Sequence, residues 1–481
     1  AFLDLTQPDP LDTQTVTDPF TGLDELAYIP EHNDSHVPGC SSLLSVQPPG
    51  CGILPYPTVM WEYRDHCETG VTIDDETFCD EDSNNEPDLA YSWSKANVGR
   101  ILVIEPGESD PSIRTVAVVG GGLDPDALNE SGNWLYMIDV ETGQTLYKRE
   151  LVGSAPSEPA AVDTDFNGIL DTVYIGTTAG FMYKADISSP AQISEVLVAG
   201  GVEHKILDPD PTVDTDPWDV FQVFDTLGRP IFFPPQVLFV NSLGTYAIAF
   251  GTGDRHDLWS DTYAEQDGRF YMIVDPGFAA GVAPLDSGPL DETVYTQIAL
   301  GDVNFGLNVD LLQLPLDGNQ PGWVLILGAD ERVVTEALTI SGLVSFPTFD
   351  PDPVIFCEDF GGNGSIFRVL ATNADALAST IGRSTALDGQ FAGKPVVSSE
   401  GMRRTDADPG DPDDPTDDEP EDPFDDETIQ EIRQSLSSLF PDSCRFGNFS
   451  VNVSAALSNR GQVPIAQIPV CVAPKNWKEI F

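Results

Sequence analysis

From residue 89 onward the chain alternates short apolar runs with polar turns. Ile101–Ile104, Thr115–Val119 and Trp134–Val140 come first, and the turn Glu141-Thr142-Gly143-Gln144 leads into Thr145–Tyr147. A second unit holds Thr172–Gly176 and Gly180–Asp186. A third holds Val237–Val240, Tyr246–Gly251 and Gly268–Asp275. A fourth holds Trp323–Leu327, Leu343–Phe349 and Gly364–Val369. These runs are short, rich in β-branched and aromatic residues, and bounded by Gly, Pro and Asp, which predicts strands. Pro57–Tyr63, Phe449–Val453 and Val463–Val472 read the same way.

The units share a phrase. A strand ends in Gly, a loop follows, and then comes Gly-x-aromatic-x-x-x-x-Asp. GNWLYMID and GRFYMIVD fit it fully, and GFMYKADI and GSIFRVL fit it loosely. A strand-rich unit repeated with one aromatic signature predicts a β-propeller, whose blades stack because none can bury both faces alone. The expectation is an all-β, modified seven-bladed propeller with long loop insertions. A large β-sandwich is the competing architecture.

Residues 1–56 are Pro- and Asp-rich and read as a lead-in, with Gly22–Pro30 as one short apolar segment. Residues 57–481 are assigned to the propeller, and 64–88 to an acidic, cysteine-containing loop. The run at 405–427 (TDADPGDPDDPTDDEPEDPFDDE) is too acidic to pack and reads as a disordered insert. A short helix is predicted after it. Asp425 to Glu427 load its N-terminus, and Ile429, Ile432, Leu436 and Phe440 form its apolar face. The first residue is Ala1, and the chain is expected to start inside a longer precursor or after processing.

Composition narrows the partners. The formal charge is −57, from 79 acids against 22 bases, so a phosphate backbone or an anionic membrane surface would be repelled. Such a charge also suits a salty medium that screens self-repulsion. No run of 18 apolar residues occurs, which argues against a membrane-spanning helix. Seven cysteines are present: Cys40, Cys51, Cys67 and Cys79 cluster early, and Cys357, Cys444 and Cys471 are dispersed. Their loop settings read as disulfides of an oxidising compartment, with Cys40–Cys51 and Cys67–Cys79 the expected pairs. His32, His36 and His66 lie near them, but without the spacing of a zinc site.

One stretch states a chemistry. In AAVDTDFNGILDTVYIG, residues 160–176, Asp163, Asp165, Asn167 and Asp171 occupy positions 1, 3, 5 and 9 of a compact loop. Gly168 stands at position 6, where a chain curling round an ion must turn sharply, and Ile169 at position 7 can offer its backbone carbonyl. That is the oxygen-only first part of an EF-hand-type loop, suited to Ca²⁺. The glutamate expected at position 12 is replaced by Tyr174, inside the apolar run that follows. The loop therefore opens onto a strand rather than a helix. Asp302-x-Asn304-x-Gly306-x-Asn308-x-Asp310 is a weaker acidic candidate, and Asp124-x-Asp126 and Asp208–Asp216 read as solvated turns.

Signs of catalysis are thin. No GxSxG, HExxH, Walker A or Rossmann GxGxxG motif occurs. Gly120-Gly121-Gly122 follows a strand but opens no helix. His256, in GTGDRHDLW, reads as a surface histidine. The chain is expected not to be an enzyme.

Several phrases together resemble the C-terminal β-propeller of the PilY-type type IV pilus biogenesis proteins and tip adhesins. They are PTVMWEY, AYSWSKANVGRI, VVGGGLD with GNWLYMIDVETG, AVDTDFNGILDTVYIGTTAGFMYKADI, AFGTGDR, GRFYMIVD, GWVLIL with ERVVTEALTISGLVSFPTF, and NWKEI. They keep the family's order over most of residues 57–481. The resemblance implies calcium held by Asp163, Asp165, Asn167, Ile169 (through its carbonyl) and Asp171. It also implies secretion to the cell surface at a pilus tip (the fimbrium), partnership with minor pilins, and attachment to host or abiotic surfaces. Control of pilus extension and retraction, and hence of twitching motility, follows from the same resemblance. No Arg-Gly-Asp tripeptide occurs, so integrin-style adhesion is not implied. Two other classes compete. LYMIDVETGQTLYK is similar to repeats of quinoprotein dehydrogenases, but only seven Trp occur and they share no repeat register. A purely structural surface protein would differ from the pilus reading only in its partners.

Overall fold

The computed structural model describes chiefly residues 76–404 and 446–471. Within these spans it leaves out 126–130, 199–200, 207–217, 241–242, 257–266, 276–288, 303–304, 307–308, 352–360, 380, 388 and 459–461. Tyr63, the short strands at 2–4, 13–17, 24–28, 58–61 and 70–73, and parts of 427–434 are also described. The 405–427 insert (Glu427 apart), all the histidines named above except His256, and Cys40, Cys51, Cys67, Cys357 and Cys444 lie outside the described residues.

The protein is an all-β propeller. Its first blade is an antiparallel meander of Asn97–Ile104, Pro111–Gly120, Trp134–Asp139 and Thr145–Glu150. The second runs Ala160–Val162, Thr172–Gly176, Phe181–Asp186 and Val220–Asp225. The third runs Gln236–Val240, Thr245–Gly251, Arg269–Val274 and Gly322–Ile326, and the fourth is built around Leu343–Pro351 and Gly362–Leu370. Val396–Arg404, Phe446–Ala456 and Gln462–Cys471 form a three-stranded sheet after them. Insertions add strands at blade edges: Ala191–Val198 pairs parallel with Asn97–Ile104, and Thr296–Ala299 pairs parallel with Gly322–Ile326.

The near-continuous apolar runs are explained by packing on both faces. Successive residues of a strand point to opposite sides of its sheet. Val173 and Ile175 join a core with Ile101, Val116 and Leu135 of the first blade. Tyr174, between them in sequence, joins Ile248, Phe250 and Tyr271 of the third. In the third blade, Tyr271 and Ile273 face back to the second, while Phe270 and Met272 face Phe346 and Phe367 of the fourth. Leu343, Ile366 and Leu370 continue the series toward Val453 and Ile465. Each blade is thus the lid of its predecessor.

The shared Gly of the repeat phrase has a steric cause. A Cβ on Gly268 or Gly364 would run into the backbone carbonyl of Glu331 or Gln390, from a neighbouring loop or turn. The phrase marks where another chain segment crosses the start of a central strand.

The sequence expectation for 64–88 needs correction. Gly70–Ile73 and Glu76–Cys79 pair antiparallel, in keeping with the β-branched and aromatic residues of the two runs, GVTI and ETFC. Cys79 is buried and disulfide-bonded. Helical turns occur at 427–428 and 431–432, and Ile432 of the predicted apolar face is fully buried against the core of the last sheets. Among the described residues, no helix is long and apolar enough to cross a membrane.

Candidate metal centre

The 163–171 loop joins two paired strands, Ala160–Val162 and Thr172–Gly176, with Val162 opposite Thr172. Asp171 N–H donates to Val162 O at 2.9 Å, so the loop closes at its base as a continuation of the ladder. Leu170 N–H reaches Arg100 O at 2.7 Å and Ile187 N–H reaches Asp171 O at 2.7 Å, fixing the loop to the first blade and to the residue that follows the Phe181–Asp186 strand.

Inside that frame the backbone organises the carboxylates. Asn167 N–H donates to Asp163 Oδ1 (3.1 Å) and Asp165 Oδ1 (3.0 Å), and Gly168 N–H donates to Asp163 Oδ2 (2.6 Å). Ile169 N–H donates to Asn167 Oδ1 at 2.7 Å. Asp171 Oδ2 accepts from the N–H and hydroxyl of Thr164, at 2.6 and 2.7 Å. Carboxylate oxygens of Asp163, Asp165 and Asp171 lie within 4.8 Å of one another. Three like charges that close repel unless a cation shares them, and an all-oxygen set suits a hard cation. Asp171 and Ile169 are buried, while Asp165 and Asn167 are exposed, so one side of the loop is open to solvent.

The turn needs two left-handed residues, Phe166 at φ 61° and Gly168 at φ 86°. Gly bears that conformation without strain. Tyr246, from the third blade, donates its hydroxyl to Thr164 O at 3.0 Å. Burial, then Asp163, Asp171 and Asp165, push the Tyr246 phenol above its ordinary value. The loop's negative field thus reaches the neighbouring blade.

All five residues singled out in the sequence therefore sit on this loop, three of them with converging carboxylates. Tyr174, at position 12, does not turn toward it. Its hydroxyl donates to Asp275 Oδ2 at 2.6 Å, beside the Lys184 ammonium at 2.6 Å. The other candidates behave as turns. Asp302 Oδ2 accepts Ala299 N–H, and Asp310 Oδ1 accepts the N–H groups of Leu312 and Gln313. Asp124 caps Ser131 N–H. His256 is exposed, its N–H bonded to Asp254. Asp126, Asn304, Asn308 and Asp208–Asp216 lie outside the described residues.

A second convergence was missed in the sequence. Oxygens of Asp80, Asp82 and Asp88 also lie within 4.8 Å of one another. The spacing Asp-x-Asp-x-Asn-x-x-x-Asp was there to be read, but Asn85 stands where Gly would have flagged it.

Compared with known proteins, the chain matches no protein-family model and no curated protein. Among solved structures it is similar to the C-terminal domain of Pseudomonas aeruginosa PilY1, at 19% identity and a TM-score of 0.41, covering 66% of this chain and 71% of that one. It is also similar to BamB from Moraxella catarrhalis, at 10% identity and a TM-score of 0.23, covering 77% of this chain and 74% of that one.

Proposed function

We propose that this chain is a calcium-binding, non-enzymatic propeller of a type IV pilus tip adhesin and biogenesis factor, exported to the cell surface. The observation that carries the calcium part is the convergence of Asp163, Asp165 and Asp171 on a loop closed by a strand ladder. Asn167 and the Ile169 carbonyl complete the protein's contribution, and water fills the place of the missing position-12 carboxylate. The pilus part rests on the ordered set of phrases resembling the PilY-type propeller. Minor pilins are the proposed partners and host or abiotic surfaces the proposed targets. The ion's work is mechanical: it cancels three adjacent charges and stiffens the junction between the first three blades.

The test is co-purification of the full chain with minor pilins, with calcium and after chelation. The reading expects calcium-dependent capture that Asp165→Asn weakens. Calcium titration separates its parts. Absence of binding in the unmodified chain removes the metal site, and binding without capture removes the pilus partnership.

A further inference from the structure

The fourth blade carries a buried charge without a counter-charge. Arg368 stands on the strand Gly362–Leu370 and is 3% exposed. Ile366 and Leu370, two positions to either side, face the core shared with Val453, Ala455 and Ile465 of the last sheet, so Arg368 lies on that face too. Its bonds are few. Nη2 donates to the hydroxyl of Thr385, and Nη1 reaches Ile465 O only at 3.5 Å. Nε is buried and has no hydrogen-bond partner among the described residues.

Other buried cations of the chain are each met by a carboxylate. Lys184 occupies the same place in the repeat phrase, four residues after its Gly, and lies 2.6 Å from Asp275. Arg269 lies 3.5 Å from Glu292, and Arg383 lies 3.3 Å from Asp375. Among the described residues Arg368 has no such partner, although the chain has 79 acids. Burial lowers its pKa to about 10 with no neighbouring charge to raise it, so it is still a cation at neutral pH. A guanidinium out of water is costly unless a negative charge shares the site. A water molecule would satisfy the Nε proton and leave that charge uncompensated.

We propose that Arg368 and Thr385 form a site for a monatomic anion, chloride, between the fourth blade and the last sheet. Two donors serve it. Nε has an unused proton, and the Thr385 hydroxyl, which accepts from Nη2, keeps its own proton to give. Thr385 is exposed on the short strand Ser384–Ala386, which gives an ion a way in from solvent. Nε itself is closed to solvent, which admits an ion in preference to the side chain of a partner. Chloride is also the common anion of the salty medium that the chain's charge suits. The bound ion neutralises the guanidinium and so strengthens the packing of the last sheet on the fourth blade. This site is independent of the calcium reading.

The test uses the full chain with calcium held constant. Sodium gluconate is exchanged for sodium chloride at fixed ionic strength, and the urea midpoint is followed. A ligand bound only by the folded state stabilises it by mass action, so the midpoint should climb with the logarithm of chloride above the dissociation constant. Bromide should act in its place. Thr385→Val, at an exposed position, should leave the chain folded and shift the response to about tenfold higher chloride, the loss of one hydrogen bond to a charged group. Arg368→Met should abolish the response. A midpoint indifferent to the exchange in the unmodified chain overturns the proposal, as does a response of equal size in Arg368→Met. Should Arg368→Met fail to fold, ³⁵Cl NMR decides. Excess line broadening by the unmodified chain that bromide displaces and Thr385→Val reduces supports the site. Broadening that is absent, or unchanged in Thr385→Val, overturns it.

Discussion

Tyr174 donates its hydroxyl to Asp275 across 2.6 Å, tying the strand after the first acidic loop to the end of the third blade's aromatic strand. Asp275 also carries Lys184 at 2.6 Å, and the two side chains of that ion pair are 6% and 9% exposed. Burial, then Asp275, raises the Tyr174 phenol far above its ordinary value, so it remains a donor at every working pH. Position 12 of the loop was therefore given over to blade stacking. Tyr174→Phe should cost about 1–3 kcal/mol of stability, the range for losing one partner of a buried hydrogen bond. Calcium stoichiometry should be unchanged, and urea unfolding beside calorimetric titration checks both.

Lys184→Met should cost more. It strands the Asp275 charge in a site that water barely reaches, and breaking such a pair costs about 3–5 kcal/mol. A double variant with Tyr174→Phe should be non-additive, because both side chains bond the same oxygen. A chemical-denaturation cycle measures the coupling.

Chelation should lower the thermal midpoint. A ligand at a hundred times its dissociation constant stabilises the folded state by about 2.7 kcal/mol. Asp163→Asn should narrow the gap between calcium-loaded and chelated protein, as read by scanning calorimetry. An unchanged gap would separate that stabilisation from the first loop.

Stability should fall in acid partly through Glu336. Burial pushes its carboxyl up, but bonds to Lys394 and Lys95 outweigh this and hold it below the ordinary value of 4.5. A lowered folded-state pKa stabilises above the unfolded value, and that contribution is lost as pH falls from about 4.5 through the folded value. Glu336→Gln should flatten this part of the pH–stability curve between neutral pH and the acid transition.

Phe346 lies stacked between Phe270, with ring centroids 3.8 Å apart, and Phe367, at 4.9 Å. It is fully buried, and Phe270 belongs to the preceding blade. Phe346→Ala should cost about 3–5 kcal/mol, as large-to-small changes in a close-packed core do. Denaturant unfolding measures the loss.

The blades were legible because each central strand is apolar on both faces, so runs such as Phe270–Val274 are uninterrupted. The repeat phrase was legible because a crossing backbone forbids a side chain at Gly268 and Gly364. The loop at 163–171 announced itself through Gly168. The loop at 80–88 did not, because Asn85 takes the same left-handed turn with a side chain attached. The partnership of Tyr174 with Asp275 spans 101 positions and leaves no local trace.

Glu336 joins distant parts of the chain through one carboxylate. It holds Lys95, just before the first blade, and Lys394, just before the last sheet. A single negative charge brings those two points together, so a more acid medium loosens both contacts at once.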